Sequence, residues 1–280
     1  MSEAEHTLSA EAGLQLHLFR SSLPLQLKVA EVRRQLGNTD GLACLDIGVA
    51  NGIVSYQLRQ GGGEWASAVR DERTAATVRE VAGGDAQIIQ GAGLSFENKT
   101  FDVVVILDFL ERVAADEAFI EECHRILRPD GRLIVNAAHV KRGSLLNPLR
   151  ALVRRSGEAP TLPRAGYTES ELFRILKHGF DVVQMRSYSR FFVELTRTVM
   201  EAVGAGNERR EGQDMKRFMR RHTTAGMLYR VAFQLDWLLF FTRGHYLIAS
   251  AKRRAWRPRR APVLTDGRSI TEVVLSKAPP

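Results

Sequence analysis

The chain has 280 residues, 44% of them hydrophobic and 26% charged, which is enough apolar material to enclose a core and excludes a disordered polyelectrolyte or a fibrous repeat. Its 40 Lys and Arg against 32 Asp and Glu give a net charge of +8, yet residues 252–260 (KRRAWRPRR) hold six basic side chains and no acid, leaving the remainder near balance at +2. Basicity is therefore a property of a tail, which suits a polyanionic surface for that tail better than a fold coated in nucleic acid. Cys44 and Cys123 stand in apolar runs and have neither the number nor the spacing of a disulfide framework or a zinc site, so no metal is expected. The start, MSEAEHTLSAEAG, lacks the basic and apolar regions of a secretory signal, and the most apolar segment, 227–241, is too short to span a bilayer and carries Arg230, Gln234 and Asp236. A cytoplasmic protein is expected, with that segment able to lie on the inner face of a membrane.

In chain order, residues 1–41 read as a helical lead-in, with a helix over 24–36 stopped by Gly37. From Leu42, apolar strand-like runs alternate with helical ones: LACLDIG, NGIVSYQLRQ, EWASAVR, ERTAATVREVA, AQII, FDVVVILDFL, DEAFIEECHRIL and GRLIVNAA. That alternation predicts an α/β fold, a doubly wound parallel sheet with helices on both faces and 103–107 as a central strand. Beyond Ala138 the pattern gives a helix over 143–155, a loop at 164–167, a helix over 169–178 and a strand over 180–185. A helical insert follows over about 190–241, broken by the polar run 204–213, and then a last strand over 246–251. One domain over 42–251 and a basic tail over 252–280 result.

The chemistry concentrates in Leu45-Asp46-Ile47-Gly48-Val49-Ala50-Asn51-Gly52, where the first strand hands over to its helix. Ligands of open parallel sheets bind beyond the carboxyl ends of the strands, and small residues there let a ligand approach the backbone. A dinucleotide fingerprint fits poorly, because Ala50 and Ile53 occupy its second and third glycine positions and Asp46 would face a pyrophosphate. An acid suits a cation instead. S-adenosylmethionine carries a sulfonium and an ammonium, and the helix start at Asn51 and Gly52 offers backbone donors.

On these residues the chain resembles the class I S-adenosylmethionine-dependent methyltransferases, in particular the broad group acting on small molecules and lipids. DIGVANG at 46–52, Arg70-Asp71, LSFENKTFDVVVILDFLERV at 94–113 and LRPDGRLIVN at 127–136 carry the resemblance, which covers 42–138 and, more loosely, extends to 185. It implies a Rossmann-like, seven-stranded sheet, mostly parallel, whose antiparallel last strand is YLIASA, with the helical insert before it. It also implies that Asp46, Gly48, Ala50, Asn51 and Gly52 cradle the cofactor. Asp71 would hold the ribose hydroxyls, although Arg70 takes that place in the neighbouring register. Gln90 would stand near the adenine where relatives often carry an acid, and Asp108 and Leu110 would complete the set at the end of the fourth strand. Departures are Ala50 for a usual glycine, and Leu110-Glu111-Arg112 where relatives often read Leu-Glu-His. With that histidine missing, His139 after the fifth strand is the candidate base for an acceptor hydroxyl.

Each residue also has a plainer reading. Asp46 could be a cap or turn acid, Asp71 the N-cap of the helix beginning at Glu72, Asp108 the end of a strand, and His139 a structural histidine. Arg112 suits an anionic acceptor or a solvated helix face, and Tyr167 a lid over the site or a helix anchor. The expected activity is methyl transfer to a small-molecule or lipid-like acceptor, at oxygen. The apolar helix beside six cations, flanked by Trp237 and Trp256, suggests peripheral membrane contact through 227–260, where a core helix would show the same residues. An RNA methyltransferase drawing on the tail is an alternative, opposed by the lack of an Asn-Pro-Pro-Tyr-like motif, since Asn147-Pro148-Leu149 is not one; nucleic acid is not expected. A third reading, a cofactor-binding protein without catalysis, draws on Ala50, Arg70 and Arg112.

Overall fold

The computed structural model describes residues 10–49, 52–91, 93–141, 146, 162–207, 215–239 and 241–255, with the backbone alone at 10–12, 14, 201–207 and 215–225. Ala50, Asn51, the helix expected over 143–155 apart from Leu146, and the tail from Trp256 onward lie outside the described residues.

Seven strands make one sheet: β1 Ala43–Ile47, β2 Glu64–Val69, β3 Ala86–Ile88, β4 Phe101–Leu107, β5 Leu127–Ala138, β6 Phe180–Tyr188 and β7 Tyr246–Arg253, in the order β3-β2-β1-β4-β5-β7-β6. Strands β1 to β5 run parallel, whereas β7 is antiparallel to both β5 and β6. The order reverses between β1 and β4, the kind of switch point where a crevice opens beyond the strand ends.

Period-two alternation sorts the side chains to two cores. Leu45, Ile47, Val104 and Ile106 pack toward α5 (Asp116–Ile126) and α6 (Glu169–Leu176). Cys44, Val103, Val105 and Leu107 pack toward α2 (Leu23–Leu36), α3 (Gly52–Arg59) and α4 (Glu72–Ala82). Burial on both faces is why β4 reads as an unbroken apolar run. Both cysteines are buried in these layers, and burial pushes the Cys44 thiol up to about 12, so they behave as small hydrophobes.

Within the lead-in, ahead of the helix expected over 24–36, stands a further helix, α1 (Ala10–Ser21), part of whose inward side is polar. Gln15 is buried there and its Oε1 accepts the Ile53 N–H at 3.1 Å, satisfying one of the open donors at the start of α3. The insert forms α7 (Phe191–Asn207) and α8 (Met215–Trp237), joined to the lead-in through Val193, Tyr229 and Ala232 packed against Leu23 and Leu27. Asp236 ties the two together by accepting the N–H groups of Phe192 at 2.7 Å and Val193 at 3.3 Å, at the start of α7.

Strand β7 runs antiparallel to β5, so its two ends stand at opposite edges of the sheet. Tyr246 pairs with Ala138 at the carboxyl edge of the parallel strands, and Lys252 pairs with Arg132 toward the other edge. An eight-residue strand is about 25 Å long, so the basic tail departs from the edge opposite to the one where the apolar insert enters. Of the tail's described cations, Lys252 meets Asp130 at 3.2 Å and Arg254 meets Asp181 at 2.6 Å.

Candidate active site

Asp46 stands at the end of β1, completely buried, with its side chain on the α3 side of the sheet. Ser55 Oγ lies 3.0 Å from both carboxylate oxygens, and Ser67 Oγ donates to Oδ2 at 3.0 Å. Arg59, one turn beyond Ser55, donates to Ser67 Oγ at 3.0 Å and to the Ala82 carbonyl at 2.9 Å, so its charge faces the acid across the hydroxyl. Burial dominates and pushes the Asp46 carboxyl up to about 6, with Arg59 and the two hydroxyls opposing it. The strand register turns this carboxylate inward, where it fastens β1, β2 and α3 to one another.

The glycines around it divide their labour. Gly48 has φ +82, donates its N–H to the Ala68 carbonyl at 2.9 Å, and leaves no room for a Cβ, which would fall 2.3 Å from Phe109 Cβ and 2.8 Å from the Leu107 carbonyl. Gly52 opens α3 against α4, where a Cβ would lie 2.5 Å from the Thr77 carbonyl. That smallness serves helix packing.

Beyond the carboxyl ends of the strands lie two adjoining compartments that share Arg112 and Leu162. The first, of about 510 Å³, is walled by Arg70 after β2, Ile89 and Gly91 after β3, and Phe109 and Val113 after β4. The second, of about 480 Å³, lies among Lys28 of α2, Asp108, Glu111, His139, Arg197 of α7 and Tyr246 of β7. Lead-in, sheet and insert thus all contribute walls.

Asp108 organises the second compartment. It sits just past β4 in the left-handed region at φ +48, a conformation that costs a non-glycine residue energy and is held here by the Asp108 N–H bond to the Asn136 carbonyl at 3.1 Å. Asn136 donates to Asp108 Oδ1 at 2.7 Å, Tyr188 donates to Asn136 Oδ1, and Lys28 pairs with Oδ2. Burial works against the Lys28 ammonium, but Asp108 and Tyr246 outweigh it, and its pKa is raised. Lys28 also lies over the Tyr246 ring, 5.2 Å from its centroid, and Tyr246 stacks on Tyr188 at 5.7 Å. Replacing Lys28 by Met is expected to cost on the order of 1–2 kcal/mol, a buried-pair loss discounted for the exposure of Asp108, and a urea titration checks it.

His139 is buried after β5 with Nδ1 2.8 Å from the Gly244 carbonyl. A carbonyl only accepts, so Nδ1 carries the hydrogen and the basic lone pair belongs to Nε2. Burial, against the pull of that carbonyl, lowers the pKa from 6.5, which keeps the ring neutral at pH 7. Glu111 is buried beside it. One carboxylate oxygen accepts the Ala138 N–H, Oε2 has no partner among the described residues, and burial raises its pKa.

Several expected positions fall elsewhere. Asp71 is the N-cap of α4: its Oδ1 accepts the N–H and hydroxyl of Thr74, both at 2.8 Å, while Arg70 lines the cleft. Thr74 holds the Asp71 carboxyl below the ordinary range. Gln90 is exposed, with Ile89 and Gly91 forming the wall on either side of it. The Leu110 side chain is wholly buried in the core, and its carbonyl accepts the Tyr167 hydroxyl at 3.1 Å. Tyr167 is itself buried and bonds Asp116 at 2.9 Å, so it anchors the segment below the cleft and is no lid. Sequence reasoning missed Lys28, Asn136, Tyr188, Arg197 and Tyr246. Asn136 lay inside a quoted motif, and the others come from elements brought together only by packing. Among the described residues no cluster of His, Cys, Asp and Glu could hold a metal ion, and no helix is long and apolar enough to cross a membrane.

Residues 45–135 match a family model described as a methyltransferase domain. The ubiquinone biosynthesis O-methyltransferase of Rhizobium johnstonii is 31% identical over 101 residues, which are 34% of this chain and 41% of that protein. The enzyme of the same description from Rhizobium rhizogenes is 28% identical over 156 residues, 51% of this chain and 62% of that one. The chain therefore spans about half the length of these relatives. Among solved structures, the [4+2]-cyclase SpnF superimposes with a TM-score of 0.56 at 15% identity, covering 83% of this chain and 82% of that one. A Haemonchus contortus N-methyltransferase solved with phosphomonomethylethanolamine and S-adenosylhomocysteine gives 0.56 at 17% identity, over 82% of this chain and 52% of that one. At such identities the likeness is one of fold.

Proposed function

We propose, on the premise that this chain carries a class I S-adenosylmethionine-dependent methyltransferase domain, that it transfers a methyl group from S-adenosylmethionine to the oxygen of a small-molecule or lipid-like acceptor. The carrying observation is the pair of adjoining compartments at the sheet's switch point, one of nucleoside size and the other bordered by a neutral histidine. The O-methyltransferase relatives support oxygen as the methylated atom.

The residues present suit the cofactor. Arg70, Ile89, Gly91, Phe109 and Val113 would wall its nucleoside end, and Glu111, whose Oε2 has no partner among the described residues, would offer a carboxylate to a sulfonium or an ammonium. When bound, the cofactor supplies an electrophilic methyl group on sulfur. His139 takes the acceptor's hydroxyl proton at Nε2 as the oxygen–carbon bond forms and the carbon–sulfur bond breaks. S-adenosylhomocysteine and a protonated imidazole result. Phe109, Leu162 and Tyr246 keep water from the line of attack, and most of the acceleration comes from holding the two reactants in register.

Calorimetric titration with S-adenosylhomocysteine, followed by a transfer assay with labelled methyl on phenolic acceptors and membrane lipid extracts, tests this reading. Wild type is expected to bind and to label an acceptor. His139→Gln should keep binding and lose about 10²-fold in turnover. The wild-type rate should stay level through pH 7 and decline only below 6.5, as the lowered pKa of His139 is crossed. Failure of wild type to bind the product, or unchanged turnover in His139→Gln, would refute the corresponding part.

A further inference from the structure

We propose that the outward face of α8 and the turn after it docks on an anionic lipid surface. From residue 227 onward α8 turns only Tyr229, Ala232 and Asp236 fully inward, a narrow stripe one helical face wide. The rest of the surface is apolar where a solvated helix would carry charge. Met227, Val231, Phe233, Trp237 and Leu238 are exposed, Phe241 follows them, and Trp237 and Phe241 show 75% and 73% of their surface. Between residues 227 and 241 the only exposed ion is Arg230, because the one acid, Asp236, is spent on capping α7. A large apolar face bearing a cation and no exposed anion fits the boundary of an anionic bilayer, with Trp237 and Phe241 at headgroup level.

A second copy of the chain is the rival occupant, and the charge argues against it. A two-fold contact across this face would gather two Arg230 side chains with no carboxylate on the face to meet them. The face also leads directly to the cleft, since the chain passes from Phe241 to the cleft residues His245 and Tyr246 within five positions. Docking needs neither cofactor nor turnover, so its failure is separate from failure of the methyl-transfer reading.

The test is co-sedimentation of the full chain with vesicles of phosphatidylcholine alone and of an equimolar mixture with phosphatidylglycerol. Binding to the mixed vesicles is expected, about ten-fold weaker on phosphatidylcholine alone. Val231→Glu combined with Leu238→Glu should weaken it by about ten-fold or more while the circular dichroism spectrum and melting temperature hold. Arg230→Glu, a milder surface change, should weaken it in the same direction. Wild type left in the supernatant with both vesicles would overturn the proposal, as would full binding by the double variant. So would a wild-type dimer that the double variant splits and that ignores vesicles. Binding lost only when Arg257, Arg259 and Arg260 are changed to Gln would assign the contact to the tail and likewise overturn it.

Discussion

Gly48→Ala is expected to lower stability by about 3–5 kcal/mol, which for a domain of this size is a fall of roughly 10 °C in melting temperature. Two independent costs add. The left-handed backbone at φ +82 penalises any Cβ, and this Cβ would stand 2.3 Å from Phe109 Cβ, so Phe109 or the Leu107 carbonyl must move. Phe109 walls the first compartment, so S-adenosylhomocysteine binding should weaken by about ten-fold or more as well. Gly83→Ala separates the two costs. Gly83 has φ +70 with nothing within 4 Å of its added Cβ, so it bears the torsional part alone, about 1–2 kcal/mol. Scanning fluorimetry on both variants, with calorimetry on the first, decides the matter. Equal melting temperatures for the two would mean that the Phe109 contact carries no weight.

Asp46→Ala should cost about 2–4 kcal/mol, because it leaves a half-buried guanidinium without its counter-charge and two buried hydroxyls without their acceptor. Asp46→Asn should be much milder, and the difference is legible in pH. The folded protein holds the Asp46 proton up to about 6, against 3.8 for an ordinary carboxyl. The stabilisation this provides is complete below pH 3.8 and is lost as pH rises through about 6, a span of roughly 3 kcal/mol. Relative to Asp46→Asn, wild type should therefore gain stability on acidification from pH 7 to pH 4. Denaturant midpoints measured at both values check the sign. An unchanged gap between the two proteins would mean that the carboxyl titrates normally and is not sealed.

How much of this was readable depends on what fixes each element. Strands β1 and β4 announce themselves because both faces are buried and all but one position in each, Asp46 and Asp102, are apolar, and β7 opens on a similar apolar run whose reversed direction came from the family resemblance. Strand β6 runs on to Tyr188, beyond the expected 185, because it lies at the sheet edge, where polar residues alternate with side chains as exposed as Val183. Asp46 stands at the end of β1 and turns its side chain inward. The alternation that sends Leu45 and Ile47 to one core sends Cys44 and Asp46 to the other, and Ser55 and Arg59, four apart on the following helix, were the signal of its true partners. Lys28, Arg197 and Tyr246 had no such local signal. Each is an ordinary residue in its own segment and acquires meaning only where α2, α7 and β7 meet.

That meeting also sets a schedule for synthesis. Lys28 leaves a ribosome ahead of Asp108, and Tyr246 follows later still, yet the three close on one another. The sheet from β1 to β5 can assemble as it emerges, but β7 must then thread between β5 and β6 before the second compartment has its wall. Until that strand is in place, Lys28 has its carboxylate but not its ring, so a nascent chain can shape the first compartment before the second is walled.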